Sequence, residues 1–139
     1  MKKALLVLLA LSLSALVGCH MQQHTHKKAK KCKHDQMVAH DVYFTLKDAS
    51  PAKQRELVDA CRCLLSDLPG IVFFAAGCRA EKYQEKVHDL DFHVGLHIVF
   101  KNAECYYKYE KAPEHRKFIE EYKDNWQKVR VFDTLVSHK

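Results

Sequence analysis

The stretch VGCHMQQHTHKKAKKCKH, residues 17–34, holds two cysteines, four histidines and five lysines. Imidazole and thiolate are the usual ligands of zinc and copper, so His24, His26, Cys32 and His34 are the first residues to weigh for metal chemistry. Their spacing fits no preformed site, and residues 20–36 carry few large apolar groups and no periodicity. Such a chain cannot bury enough surface to offset the entropy of ordering, so it reads as a solvated tether. Cys61 and Cys63 make no better site: on a helix they sit about 200° apart, too far round to share a metal or to pair comfortably. Cys61 reads as a small buried hydrophobe. No metal and no cofactor is expected.

What precedes the tether explains Cys19. Lys2 and Lys3 form a basic start and Ala4 to Val17 are uncharged, a signal-peptide pattern too short for the roughly 20 residues of a membrane-spanning helix. Leu16, Val17, Gly18 and Cys19 end that run as a bacterial lipobox, in which the small Gly18 gives a peptidase access to the bond before Cys19. The expected organisation is a lipoprotein signal peptide over 1–18, then lipidated Cys19 and a basic, histidine-rich tether over 19–36. A single domain follows over 37–139. The mature protein is then exported and anchored to a membrane of the cell envelope; ordinary secretory cleavage nearby is the alternative.

The formal charge of +6 does not belong to the domain. Residues 20–36 have five lysines against Asp35, and residues 37–139 have sixteen basic and sixteen acidic side chains. A face that tracks phosphates should raise the charge of the domain itself, so nucleic-acid binding is not expected. With Cys19 lipidated, five thiols remain, at Cys32, Cys61, Cys63, Cys78 and Cys105. An odd number in an oxidising compartment points to an unpaired or intermolecular thiol.

The domain's histidines depend on the elements that carry them. In MVAHDVYFTLK, Val38, His40, Val42, Phe44 and Leu46 alternate with a more polar set, the pattern of a half-buried strand broken by one imidazole. Ser50 and Pro51 start an amphipathic helix, with Leu57, Cys61, Leu64, Leu65 and Leu68 on one side, and Pro69-Gly70 stops it. IVFFAAGCRA is a second strand. DFHVGLHIVFK is a third, with Phe92, Val94, Leu96, Ile98 and Phe100 inward and His93, Gly95, His97 and Val99 outward. Charged residues 81–90 form a long hairpin connection. Two short helices, 103–111 and 114–123, flank Pro113, the second placing His115, Ile119, Tyr122 and Trp126 on one face, and VRVFDTLV closes the chain as a strand. This order predicts an α+β fold, a ferredoxin-like antiparallel sheet with helices on one face. The bare face, with Tyr43, His93, His97 and Val99, suits a face-to-face homodimer.

HDVYFTLKDASP, LPGI, YYKYEKAPEHRKFIEEY and VRVFD together resemble the stress-responsive A/B barrel (Dabb) domain across nearly all of 40–136. The resemblance implies a dimeric α/β barrel made of two packed sheets. Most members have no assigned activity, while a few plant relatives are polyketide cyclases that work in a pocket between sheet and helices. The histidines acting in those cyclases map onto His40 and His115 and a pocket tyrosine onto Tyr109, which makes these the candidate catalytic residues. Phe44, Leu96 and Tyr109 are the candidate ligand contacts.

Two imidazoles and a phenol converging in an apolar pocket could take a proton alpha to a carbonyl. This chain departs from the cyclases at Val94 and Cys61, where they carry a histidine and a tyrosine. The leading expectation is therefore an anchored Dabb protein that binds a small apolar ligand or serves a stress-related structural role, with a cyclase-like enzyme as the alternative. If no carboxylate pairs with His40 or His115, desolvation and mutual repulsion should hold both pKa values below about 6.5.

Overall fold

The computed structural model describes residues 36–137, so the leader, Cys19 and the tether lie outside the described residues. The first strand, β1 (Met37–Leu46), buries Val38, His40, Val42, Phe44 and Leu46 in strict alternation until Thr45. Helix α1 (Pro51–Leu65) starts where Ser50 accepts the Lys53 N–H and Pro51 supplies a residue with no N–H to satisfy. It turns Leu57, Val58, Cys61 and Leu65 inward. Burial pushes the Cys61 thiol up to about 12, so it stays protonated and packs as an apolar group.

The turn after α1 depends on Gly70, whose φ of +89° lies in the left-handed region. A Cβ there would fall 2.5 Å from the Cβ of Cys105, so the glycine also lets the next helix pair approach. Strands β2 (Ile71–Cys78) and β3 (Val94–Phe100) follow, then α2 (Ala103–Lys111), capped by the Asn102 side chain, and α3 (Pro113–Tyr122). A single 3₁₀ turn leads into β4 (Trp126–Val136). The sheet order is β2-β3-β1-β4, antiparallel throughout, with the helices on one face, which is the ferredoxin-like arrangement. Its core joins Phe44, Leu65, Leu96, Ile98, Phe100 and Phe118. No helix among the described residues is long and apolar enough to cross a membrane.

Two details differ from the sequence expectation. The third strand starts at Val94, and the pleat changes phase just before it: Phe92 lies against Tyr43 on the bare face, ring centroids 4.9 Å apart. His93 turns to the end of β1, where its Nδ1 accepts the Leu46 N–H at 2.9 Å. The β1–β4 ladder slips at Thr45/Leu46, and the imidazole takes up an N–H at that irregular end. On α3 the buried residue is Phe118, and Trp126 belongs to β4, not to the helix. Phe118 shares the His115, Ile119 and Tyr122 face at i, i+3 spacing.

Candidate functional site

His40 and Asp133 stand directly opposite each other on β1 and β4, and both point to the helix side. His40 Nδ1 donates to Asp133 Oδ1 at 2.7 Å, which leaves the lone pair of the neutral ring on Nε2. Asp133 Oδ2 accepts from the Tyr106 hydroxyl at 3.3 Å, and the same hydroxyl reaches Glu110 Oε1 at 3.0 Å. Tyr109 lies edge-on to His40 at 5.7 Å and against His115 at 4.5 Å. His115 Nδ1 donates to the Glu110 carbonyl at 3.2 Å. Two imidazoles, two phenols and two carboxylates thus form one cluster around the end of α2 and the first turn of α3.

The protonation states follow from burial. Desolvation raises the Tyr109 phenol well above its ordinary value, so it keeps its proton and can donate it in a hydrogen bond. Desolvation lowers His115, with the nearby His40 adding to the effect against the opposing Glu110 carbonyl. His115 is therefore neutral at pH 7. A group whose folded pKa is depressed binds fewer protons folded than unfolded, so its contribution to stability is complete above the unfolded value, about 6.5, and is lost as pH falls below it. Urea unfolding followed by Trp126 fluorescence should show a smaller loss between pH 7 and pH 5 in His115→Gln than in the parent. Equal losses in both would show that His115 does not titrate as placed.

The Tyr109 end of the cluster is packed shut, while Asp133 and Glu110 lie exposed at its rim. Tyr109 and Phe44 are each 2 % exposed and Leu96 1 %, which leaves no water-sized void against those side chains. The roomy site lies on the other face of the sheet. Residues 79–93, between β2 and β3, cross that face as a strap: Asp91 pairs with Lys128 at 2.6 Å, Asp89 with Arg130, and the Asp91 carbonyl accepts from Thr45 Oγ1 at 2.7 Å. Hydrogen bonding to Arg130 and Lys128 holds the Asp89 and Asp91 carboxyls below their ordinary range.

Beneath the strap is a groove of about 620 Å³. Tyr43, Phe92 and Phe132 form its floor, and Tyr83, Val87 and Leu90 its roof. Tyr43 packs edge-on against both Phe92 and Phe132. Next to the groove, Asp41 accepts from His97 Nδ1 at 2.7 Å, and the His97 ring lies over Gly95, where a Cβ would come within 3.2 Å of Nε2. No group of three or more potential metal ligands occurs among the described residues.

Residues 38–136 match the Stress responsive A/B Barrel Domain, most of the chain and nearly all of the described fold. The chain belongs to the Dabb family. Among solved structures, a Dabb protein with a ferredoxin-like fold from Mesorhizobium loti is 23% identical, with a TM-score of 0.61 over 75% of this chain and 100% of that one. A dimeric ferredoxin-like protein of unknown function from Thermobifida fusca has a TM-score of 0.62 at 13% identity, over 73% and 92% of the two chains. The hydroxynitrile lyase of Passiflora edulis has 0.61 at 16% identity, over 75% and 96%. At these identities the likeness establishes the fold alone. No curated protein matches the chain.

Within this Dabb domain the structure brings His40, Tyr109 and His115 together but not Phe44. Phe44 lies four residues along β1 from His40, roughly 13 Å away, and packs on Phe118 and Trp126. Leu96 sits between, opposite Val42. The condition that no carboxylate pairs with the histidines is not met at His40, because Asp133 is its cross-strand partner. The missed signal was the row Val129, Val131, Asp133, Leu135 in the last strand, an apolar row broken by one acid just as His40 breaks its own. The groove was missed too, although Asp89 and Asp91 share the two-residue spacing of Lys128 and Arg130.

Proposed function

We propose that this Dabb protein is a lipid-anchored, homodimeric binding protein of the cell envelope that takes up a small apolar molecule in the groove beneath the strap. The groove carries the proposal: it has room for a small ligand, its floor is aromatic, and a few polar groups line its walls, the usual make-up of a ligand site. The anchor rests on the lipobox and on the lysines after it, which favour anionic headgroups. The homodimer rests on the exposed Val72 and Phe73 at one end of the sheet and on relatives such as the dimeric Thermobifida protein.

N-Phenyl-1-naphthylamine, a neutral apolar dye that brightens in dry sites, tests the groove. Added to the full-length Cys19→Ser chain, it should brighten on binding. Phe132→Ala should weaken that binding roughly tenfold or more by removing part of the floor. Light scattering on the same sample should give twice the chain mass. Dye binding that ignores Phe132 would place uptake elsewhere, and a monomer would remove the dimer.

A cyclase-like activity is the second reading, favoured by the Asp133–His40 pair and the neutral His115. Asp133 orients the His40 ring as a carboxylate orients a general base, and Tyr109 would polarise the carbonyl. The packed surroundings of Tyr109 make it the weaker reading, since a substrate would need that core to open.

A further inference from the structure

The polar side chains along the groove are tied to one another, except one. Asp41 is held by His97, and Asp89 by Arg130. His88 Nδ1 accepts the Glu85 N–H at 3.0 Å. Arg79 remains. Its backbone N–H donates to the His93 carbonyl at 2.9 Å and its Nε to the Phe92 carbonyl at 3.0 Å, so the guanidinium is fixed at the start of its fork. Among the described residues its two terminal nitrogens have no hydrogen-bond or ion-pair partner, and the side chain is half-buried in the groove wall. A guanidinium secured in this way presents the planar pair of donors that a carboxylate accepts with two parallel bonds.

We propose that the groove beneath the strap selects an amphipathic monocarboxylate with an aromatic body, its ring on Tyr43, Phe92 and Phe132 and its carboxylate on the free fork of Arg79. The inference rests on the groove being the ligand site and adds the chemistry of the ligand. The aromatic floor favours a flat ring that can meet other rings edge to face. The free fork of Arg79 favours one carboxylate, whose two oxygens can accept from both terminal nitrogens at once, where a neutral amide offers a single acceptor oxygen.

The test compares 2-naphthoate with its neutral isostere 2-naphthamide by calorimetry on the full-length Cys19→Ser chain. Naphthoate should bind about 10- to 100-fold tighter, the range expected of hydrogen bonds to a charged group. Arg79→Gln should erase that preference, bringing the two affinities together. Arg79→Lys should restore part of it. Equal affinity for the two compounds, or a preference that survives Arg79→Gln, overturns the carboxylate proposal and leaves the groove reading standing. If neither compound binds, the groove is not the ligand site and the proposal falls with it.

Discussion

Cutting Phe100 back to alanine should cost the fold about 3–5 kcal/mol, the range for a fully buried phenylalanine whose cavity cannot collapse. Phe100 has no exposed surface. It ends β3 opposite Val38, and its ring meets Tyr109 at 4.9 Å, Tyr106 at 5.6 Å and His40 at 6.4 Å. His40 is tied to Asp133, and Tyr106 to Glu110 and Asp133, so neither can move in to fill the space without breaking hydrogen bonds. A domain of this size has about 5–15 kcal/mol in all, so the variant should sit near the edge of folding. Trp126 is the single tryptophan and packs on Phe44 and Phe118, which makes its fluorescence a direct monitor of urea unfolding. A loss below about 1 kcal/mol would mean that the core beside His40 is loose enough to hold a cavity, and would return the helix-side cluster to first place as a ligand site.

Replacing Cys19 by serine should abolish fatty-acid labelling and release the protein from the membrane fraction. Each buried methylene of an acyl chain adds about 0.8 kcal/mol to membrane affinity, so several chains on one residue make an anchor that washing does not remove. The serine variant keeps the leader's apolar run and the tether's five lysines. Lysines near an anionic surface contribute about 1 kcal/mol each and are screened by salt, so any residual binding should vanish in a high-salt wash. Labelling that persists in Cys19→Ser would overturn the anchor.

The regular parts of the fold were legible because they obey short periods. Alternation placed Val38, Val42, Phe44 and Leu46 in the core, and Pro51 marked the start of the first helix, which ends at Leu65, short of the expected stop at Pro69-Gly70. Legibility ended where structure depends on pairing across long distances. His40 and Asp133 are 93 residues apart, and nothing local says that they face each other. Phe92 shares the parity of Val94 and Leu96 yet lies on the other face, because the strand had not yet begun and the pleat carries no information there. The strap read as a loop, since its charges acquire meaning only once Lys128 and Arg130 are known to lie under it. The family resemblance identified the candidate histidines and Tyr109, whereas the groove required three strands and the strap to be in place at once.

Neighbouring residues of β1 hold the two imidazole–carboxylate pairs. His40 reaches Asp133 of β4 on the helix side, and Asp41 reaches His97 of β3 on the bare side. A strand that slid by one position would move every side chain to the opposite face, so both pairs would fail together and His40 and Asp133 would lose one another just as the apolar row left the core. The central strand is keyed from both flanks, once by each neighbour and once on each face. Misaligned sheets are thereby penalised during assembly of the chain, before any ligand or partner arrives to select the correct one.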